Sequence, residues 1–152
     1  EPPPPRPGSP AERELVGRLA AAFEASDVDA IVALLTDDVR LSMPPLPLEY
    51  VGRDDAARFY AIVAARPGRR RVVQTSANGQ PALAVYAGDA TGEVFRATSL
   101  LVVTLAGRRI AAITRFDTSV LNHFGLPRIL PDQARAIRWR RRRFGAERVR
   151  RT

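Results

Sequence analysis

Apolar residues return every three or four positions through the first part of the chain and every two through the second. That change of period predicts helices followed by strands. Leu15, Leu19, Ala22 and Phe23 fall on one helical face. The start signal "SPAE" (9–12) precedes them, with Ser9 as N-cap, Pro10 at the first helical position and Glu12 reaching back in a capping box. "SDVDAIVALLTDD" restarts a helix capped by Ser26 or Asp27, with Val28, Ile31, Leu34 and Leu35 inward and Asp37 and Asp38 at its end. A short strand follows over 39–43. Asp54 is then the expected cap of a third helix, which buries Ala57, Phe59, Tyr60, Ile62 and Val63 and stops at "RPG" (66–68). Strands are expected near 70–76, 82–87, 93–105 and 110–117, separated by the turn-forming "ANGQP", "AGDATG" and "AGRR". "SVLNHF" (119–124) suits a short closing helix with Gly125 at its C-terminal cap. This order defines an α+β fold, an antiparallel sheet covered on one face by three helices with room for a pocket between. The expected core includes Phe23, Leu34, Leu35, Phe59, Leu101, Val103 and Ile113.

One stretch fits neither period. "LSMPPLPLEYVGR" (41–53) carries Pro44, Pro45 and Pro47 among Leu41, Met43, Leu46, Leu48, Tyr50 and Val51. Proline lacks a backbone N–H and fixes φ, so the segment is expected to pair poorly in a sheet and to act as a stiff apolar loop. Two readings stand. The loop is a rigid connector capping the core, or it is a preformed pocket rim where Met43 and Tyr50 touch a small ligand at low ordering cost.

Composition narrows the function classes. A length of 152 residues suits one domain with a real core. The absence of cysteine excludes disulfides, thiol nucleophiles and thiolate metal sites. The most apolar run, "LLVVTLA", is too short to span a bilayer, and "EPPPPRPGSP" lacks the pattern of a secretion signal. A soluble cytoplasmic protein is expected, with no membrane association and with a processed, excised or engineered start, since the chain does not begin with Met. Every basic residue is arginine, which reads as the codon bias of a GC-rich genome. Residues 1–132 hold 15 Arg against 15 acidic residues, and residues 133–152 hold 9 Arg against 1 Glu. The net charge of +8 therefore belongs to the tail. Three parts are expected: a proline-rich linker (1–8), a folded body (9–132) and an arginine-rich tail (133–152).

Several blocks in order carry a resemblance: "AAFEASDVDAIVALLTDDVRLSMPPLPLEYVGRDDAARF", "ANGQPALAVY", "RIAAITRF" and "FGLPRILPD". Over roughly residues 11–132 the chain resembles the SnoaL-like C-terminal domain of actinobacterial extracytoplasmic-function RNA polymerase sigma factors, within the nuclear transport factor 2-like superfamily. The resemblance implies a cone-shaped fold, with a curved antiparallel sheet and three helices enclosing a pocket. It implies a non-catalytic sensory or regulatory domain that binds a small apolar or amphipathic ligand and modulates sigma-factor core domains or RNA polymerase. Homodimers are common in the superfamily. The polymerase- and promoter-binding helical domains of such sigma factors have no counterpart in this sequence, so an excised domain or a stand-alone relative is expected.

The rival reading is a small enzyme of the cyclase, isomerase or epoxide hydrolase type, as in related SnoaL-like proteins. In "TRFD", Arg115 and Asp117 are two apart on an expected strand and so share a face. Asp117 beside Arg115 or Arg96 is the candidate general base, although a neighbouring guanidinium weakens a carboxylate base. A strand-end ion pair explains the same residues. The expected ligand-binding set is Met43, Tyr50, Tyr86, Arg115 and Asp117. His123 is the sole histidine and suits a surface role, so no metal site is expected. No phosphate-loop or dinucleotide motif is present, and no cofactor is expected. "FGLPRILP" either packs on the body or offers Phe124, Leu126, Pro127, Ile129 and Leu130 as a docking strip. In the tail, Arg138, Trp139, Arg140, Arg141, Arg142, Arg143 and Phe144 suit weak, non-specific nucleic-acid binding through phosphate contacts and base stacking.

Overall fold

The computed structural model describes residues 2–130. Helix α1 (Pro10–Ala25) opens on Ser9, whose hydroxyl accepts from the Glu12 N–H at 3.2 Å. Glu12 reaches back to the Gly8 N–H at 2.9 Å, one residue ahead of the cap. Ser26 ends the helix in the left-handed conformation, at φ 55°. Asp27 then caps α2 (Val28–Ala33) by accepting from the Ala30 N–H. This helix is shorter than its apolar pattern predicts. Leu35 already starts β1 (Leu35–Met43), so Asp37 and Asp38 lie in a strand rather than at a helix end. Helix α3 (Arg53–Ala64) has Gly52 at its N-cap, at φ 94°, and no side-chain cap. Asp54 therefore sits inside the first turn, where it favours the helix dipole without capping it. Ala56 and Tyr60 form the buried stripe of α3, and Ile62, one residue out of that spacing, is 67% exposed.

The proline segment is not a loop. Leu46–Val51 forms β2, antiparallel to β1 across a turn at Pro44–Pro45. Pro47 is tolerated because β2 is an edge strand with one unpaired side. After α3 come β3 (Arg70–Ala77), β4 (Gln80–Gly88), β5 (Phe95–Ala106) and β6 (Arg109–Phe116). The curved, unclosed sheet runs β2-β1-β6-β5-β4-β3, all pairs antiparallel except β1 with β6. Asn78 and Gly79 turn β3 into β4, both at positive φ, as the Asn-Gly pair predicts.

Alternation divides the sheet between two cores. On the inner face Leu83, Leu101, Val103 and Ile113 pack against α1, α2 and α3 through Leu19, Phe23, Ile31 and Tyr60. On the outer face Val73, Ala84, Tyr86 and Leu100 pack against Leu121, Leu126 and Leu130. Leu121 belongs to a 3-10 helix (Thr118–Phe124) that Gly125 closes in the left-handed conformation. Leu130 belongs to β7 (Ile129–Leu130), which pairs with the start of β5. The expected core residues are buried in the inner cluster, with Phe59 partly buried at its margin.

One residue keeps both faces apolar along β5. Val85 pairs with Ser99 and Tyr86 with Ala97, so Thr98 is an extra residue in the ladder, a β-bulge. A bulge reverses the facing of everything beyond it. Phe95 and Ala97 therefore join the outer cluster, while Ser99 and Leu101 face inward. At the other end of the strand, Gly107 donates its N–H to the Pro3 carbonyl at 2.8 Å, which fastens the proline-rich lead to the β5–β6 turn.

Candidate ligand pocket

The helices do not fill the space above the inner face. A cavity of about 380 Å³ remains between the sheet and α1–α3. Sheet residues supply its floor: Leu41 and Met43 from β1, Val85 and Ala87 from β4, Ser99 and Leu101 from β5, Ile113 and Arg115 from β6. Each set is two residues apart, as the pleat requires. Phe23, Ile31, Phe59 and Tyr60 form the roof. Arg66, Pro67 and Arg70 lie at the end of α3 and the start of β3, where the wall passes into exposed surface.

The polar groups divide into engaged and open ones. Arg70 donates to the Ser26 hydroxyl and to the carbonyls of Val63 and Arg66, tying the end of α3 to the end of α1. Arg115, half-buried on the floor, donates among the described residues only to the Thr98 carbonyl, at the long distance of 3.5 Å. That carbonyl belongs to the extra residue of the bulge. Among the described residues Arg115 has no carboxylate within ion-pair distance. Tyr60 is buried by edge-on contacts with Phe23 and Phe59. Burial raises its hydroxyl well above the usual tyrosine range, and the Arg115 guanidinium pulls the other way. The hydroxyl therefore stays a neutral donor. Among the described residues, no Asp, Glu or His lines the cavity.

Met43 and Arg115 are the two expected ligand residues in this wall. Tyr50 stacks on Phe59 from behind, with ring centroids 5.2 Å apart, and does not line the space. Tyr86 is on the opposite face of β4, because alternation places 83, 85 and 87 inward and 84 and 86 outward. Asp117 shares the parity of Arg115, but β6 ends at Phe116. Asp117 turns out to solvent as the N-cap of the 3-10 helix, accepting from the Ser119 N–H at 2.9 Å and from the Ser119 hydroxyl. Those bonds hold its carboxyl below the usual range, with Arg115 as the weakest contributor. Arg96 is exposed near the outer layer, opposite Ile129. Asp117 and Arg96 are thus absent from the cavity, which removes the expected base and its second partner.

The docking strip divides as well. Leu126 and Leu130 are buried in the outer core, Phe124 and Pro127 are half-buried, and Ile129 is 46% exposed. The segment packs on the body because its alternate apolar residues face the sheet. His123 is exposed. The arginine-rich stretch from Arg138 to Phe144, with Trp139 and Arg140 to Arg143, and the boundary at residue 132 lie outside the described residues. Sequence reasoning missed Ser99 and Thr98 as pocket residues. Their signal was present, since a polar pair precedes the apolar run "LLVV" in this strand. Among the described residues no helix is long and apolar enough to cross a membrane, and no cluster of three or more His, Cys, Asp or Glu is placed to hold a metal.

A curved sheet closed by helices over an internal pocket defines the nuclear transport factor 2-like class, and the comparisons with known proteins agree. The chain belongs to the SnoaL-like domain family, whose model matches residues 16–113. It is 36% identical over 124 residues to the ECF RNA polymerase sigma factor SigG of Mycobacterium tuberculosis, a match covering 80% of this chain and 33% of that protein. The chain thus spans about a third of the length of this curated relative, and the match fits a SnoaL-like domain of an extracytoplasmic-function sigma factor. Two solved structures share the fold. A candidate ketosteroid isomerase from Kribbella flavida superposes with a TM-score of 0.56 at 20% identity, over 72% of this chain and 78% of that one. A protein of ketosteroid isomerase-like fold from Catenulispora acidiphila, in complex with trimethylamine, gives 0.51 at 18% identity, over 75% and 94%.

Proposed function

We propose that the chain is a non-catalytic regulatory module of sigma-factor type. It binds a small apolar or amphipathic molecule in the inner cavity, and occupancy biases its contacts with sigma-factor core domains or RNA polymerase. The observation that carries this reading is the lining itself. The cavity is roomy, largely apolar and pre-formed, as small-molecule sites are, yet among the described residues it is lined by no carboxylate or imidazole that proton-transfer chemistry would use. The similarity to a sigma factor supplies the class of partner.

The test is transcription reconstituted from RNA polymerase and a sigma factor of the matched type, with the chain added in increasing amounts. The expected result is a change in transcript yield of about fivefold or more, the scale of ordinary allosteric coupling. Ala87→Phe, which fills the cavity from the floor, should alter that response. An unchanged yield at saturating chain would sink the proposal. Turnover of a substrate that depends on the cavity would replace it with an enzyme.

A further inference from the structure

The charge inside the cavity is one-sided. Arg115 stands on a largely apolar floor with no carboxylate within ion-pair distance among the described residues, Asp117 acting on it only weakly from beyond the strand end. Its hydrogen bond to the bulged Thr98 carbonyl is long and leaves most of its five N–H groups open. The bond lies at an exposed position, so water serves the guanidinium, and an anion that displaces that water gains a charge-assisted bond. Above it the Tyr60 hydroxyl makes no hydrogen bond among the described residues. Among the described residues, the sealed side-chain atoms without a hydrogen bond are Thr36 Oγ1 and Arg71 Nε. The Tyr60 hydroxyl is not among them, so it keeps some accessible surface, and its side chain lines the cavity. Arg66, exposed, and Arg70, bonded to Ser26, Val63 and Arg66, add two further positive charges at the end of the wall.

We propose that the cavity is a receptor for an organic carboxylate, whose charged end lies between the Arg115 guanidinium and the Tyr60 hydroxyl and whose apolar body fills the space beside Ile31, Leu41, Val85 and Ile113. The inference deepens the regulatory reading above by naming the ligand class of the same site. One guanidinium and one neutral hydroxyl match the two oxygens of a carboxylate. The largely apolar lining favours an anion that carries an apolar body over a free inorganic anion. Charge steering at Arg66 and charge-assisted bonding at Arg115 also disfavour amines.

The experiment is titration calorimetry of the full chain with two matched pairs, octanoate against octanamide and 2-naphthoate against 2-naphthamide. The acids are expected to bind at least about tenfold more tightly than the amides, the scale of one hydrogen bond to a charged group. Arg115→Gln should erase that preference, Arg115→Lys should keep part of it, and Tyr60→Phe should weaken the acids several-fold. Ala87→Phe should block both classes. The acid–amide comparison on the unaltered chain stands even if a variant fails to fold. The inference is overturned if the amides bind as tightly as the acids, if Arg115→Gln keeps the preference, if binding survives Ala87→Phe, or if none of the four probes binds. Each of those results leaves the regulatory reading open to a neutral ligand. Conversely, tight acid binding with no effect on transcription would uphold the carboxylate site and remove the regulatory reading.

Discussion

The Tyr86 hydroxyl donates to the Pro127 carbonyl at 2.6 Å and joins the outer face of the sheet to the closing segment. Tyr86 is fully buried, and the bond spans 41 positions of sequence. It explains how a two-residue strand, β7, holds its register with Phe95 and Arg96. Removing the hydroxyl leaves the carbonyl without its partner. Tyr86→Phe should therefore cost about 1 to 3 kcal/mol in urea unfolding. A loss too small to measure would mean the segment is held by Leu126 and Leu130 alone.

Alkaline stability follows from composition and burial together. The chain has no lysine or cysteine, so tyrosines are the side chains that ionise first as pH rises past about 10. Burial raises the hydroxyls of both Tyr60 and Tyr86. A raised folded-state pKa gives stability that is complete below the unfolded value and is lost as pH climbs through it toward the folded one. The urea midpoint should be level from neutral pH to about 9 and fall from about 10 upward. Tyr86→Phe should make that fall shallower. An equally steep fall in Tyr86→Phe would assign the alkaline transition elsewhere.

Leu35 and Leu101 are both in the inner core, yet they differ in what surrounds them. Leu35 is fully buried and does not line the cavity, whereas Leu101 borders it. A side chain beside an existing void has fewer neighbours to lose. Leu35→Ala is expected to cost about 4 to 5 kcal/mol and Leu101→Ala about 2 to 3. Equal costs, measured by denaturant unfolding, would mean the cavity closes up around Leu101.

Asp117→Asn tests the correction to the sequence-based site. Asp117 caps the 3-10 helix at the surface and does not reach the cavity. The variant should bind octanoate as the unaltered chain does, with at most a small fall in melting temperature. Weakened binding would return Asp117 to the site.

Much of this architecture is legible in the sequence. Ser9, Asp27, the Asn78–Gly79 turn and Gly125 each carry a local rule that the structure obeys. What is harder to read depends on partners distant in sequence. Whether Pro47 breaks a strand depends on its place at the sheet edge, which sequence spacing does not reveal. Whether Asp117 shares the cavity with Arg115 depends on where β6 stops, a matter of one residue. Tyr86 had the right chemistry and the wrong parity. Tyr60 was legible as a buried residue of the third helix, but that its hydroxyl makes no hydrogen bond among the described residues depends on the packing of distant elements.

The bulge at Thr98 has a consequence for how the protein tolerates change. By reversing the facing of β5 partway along, it assigns Phe95 and Ala97 to one layer and Ser99 and Leu101 to the other. Each layer then has its own side chains and its own neighbours on opposite sides of a shared backbone. Pairs of substitutions taken one from each layer should combine close to additively, while pairs within a layer should not. The pocket can therefore be reshaped for a new occupant while the outer surface keeps the contacts it already makes.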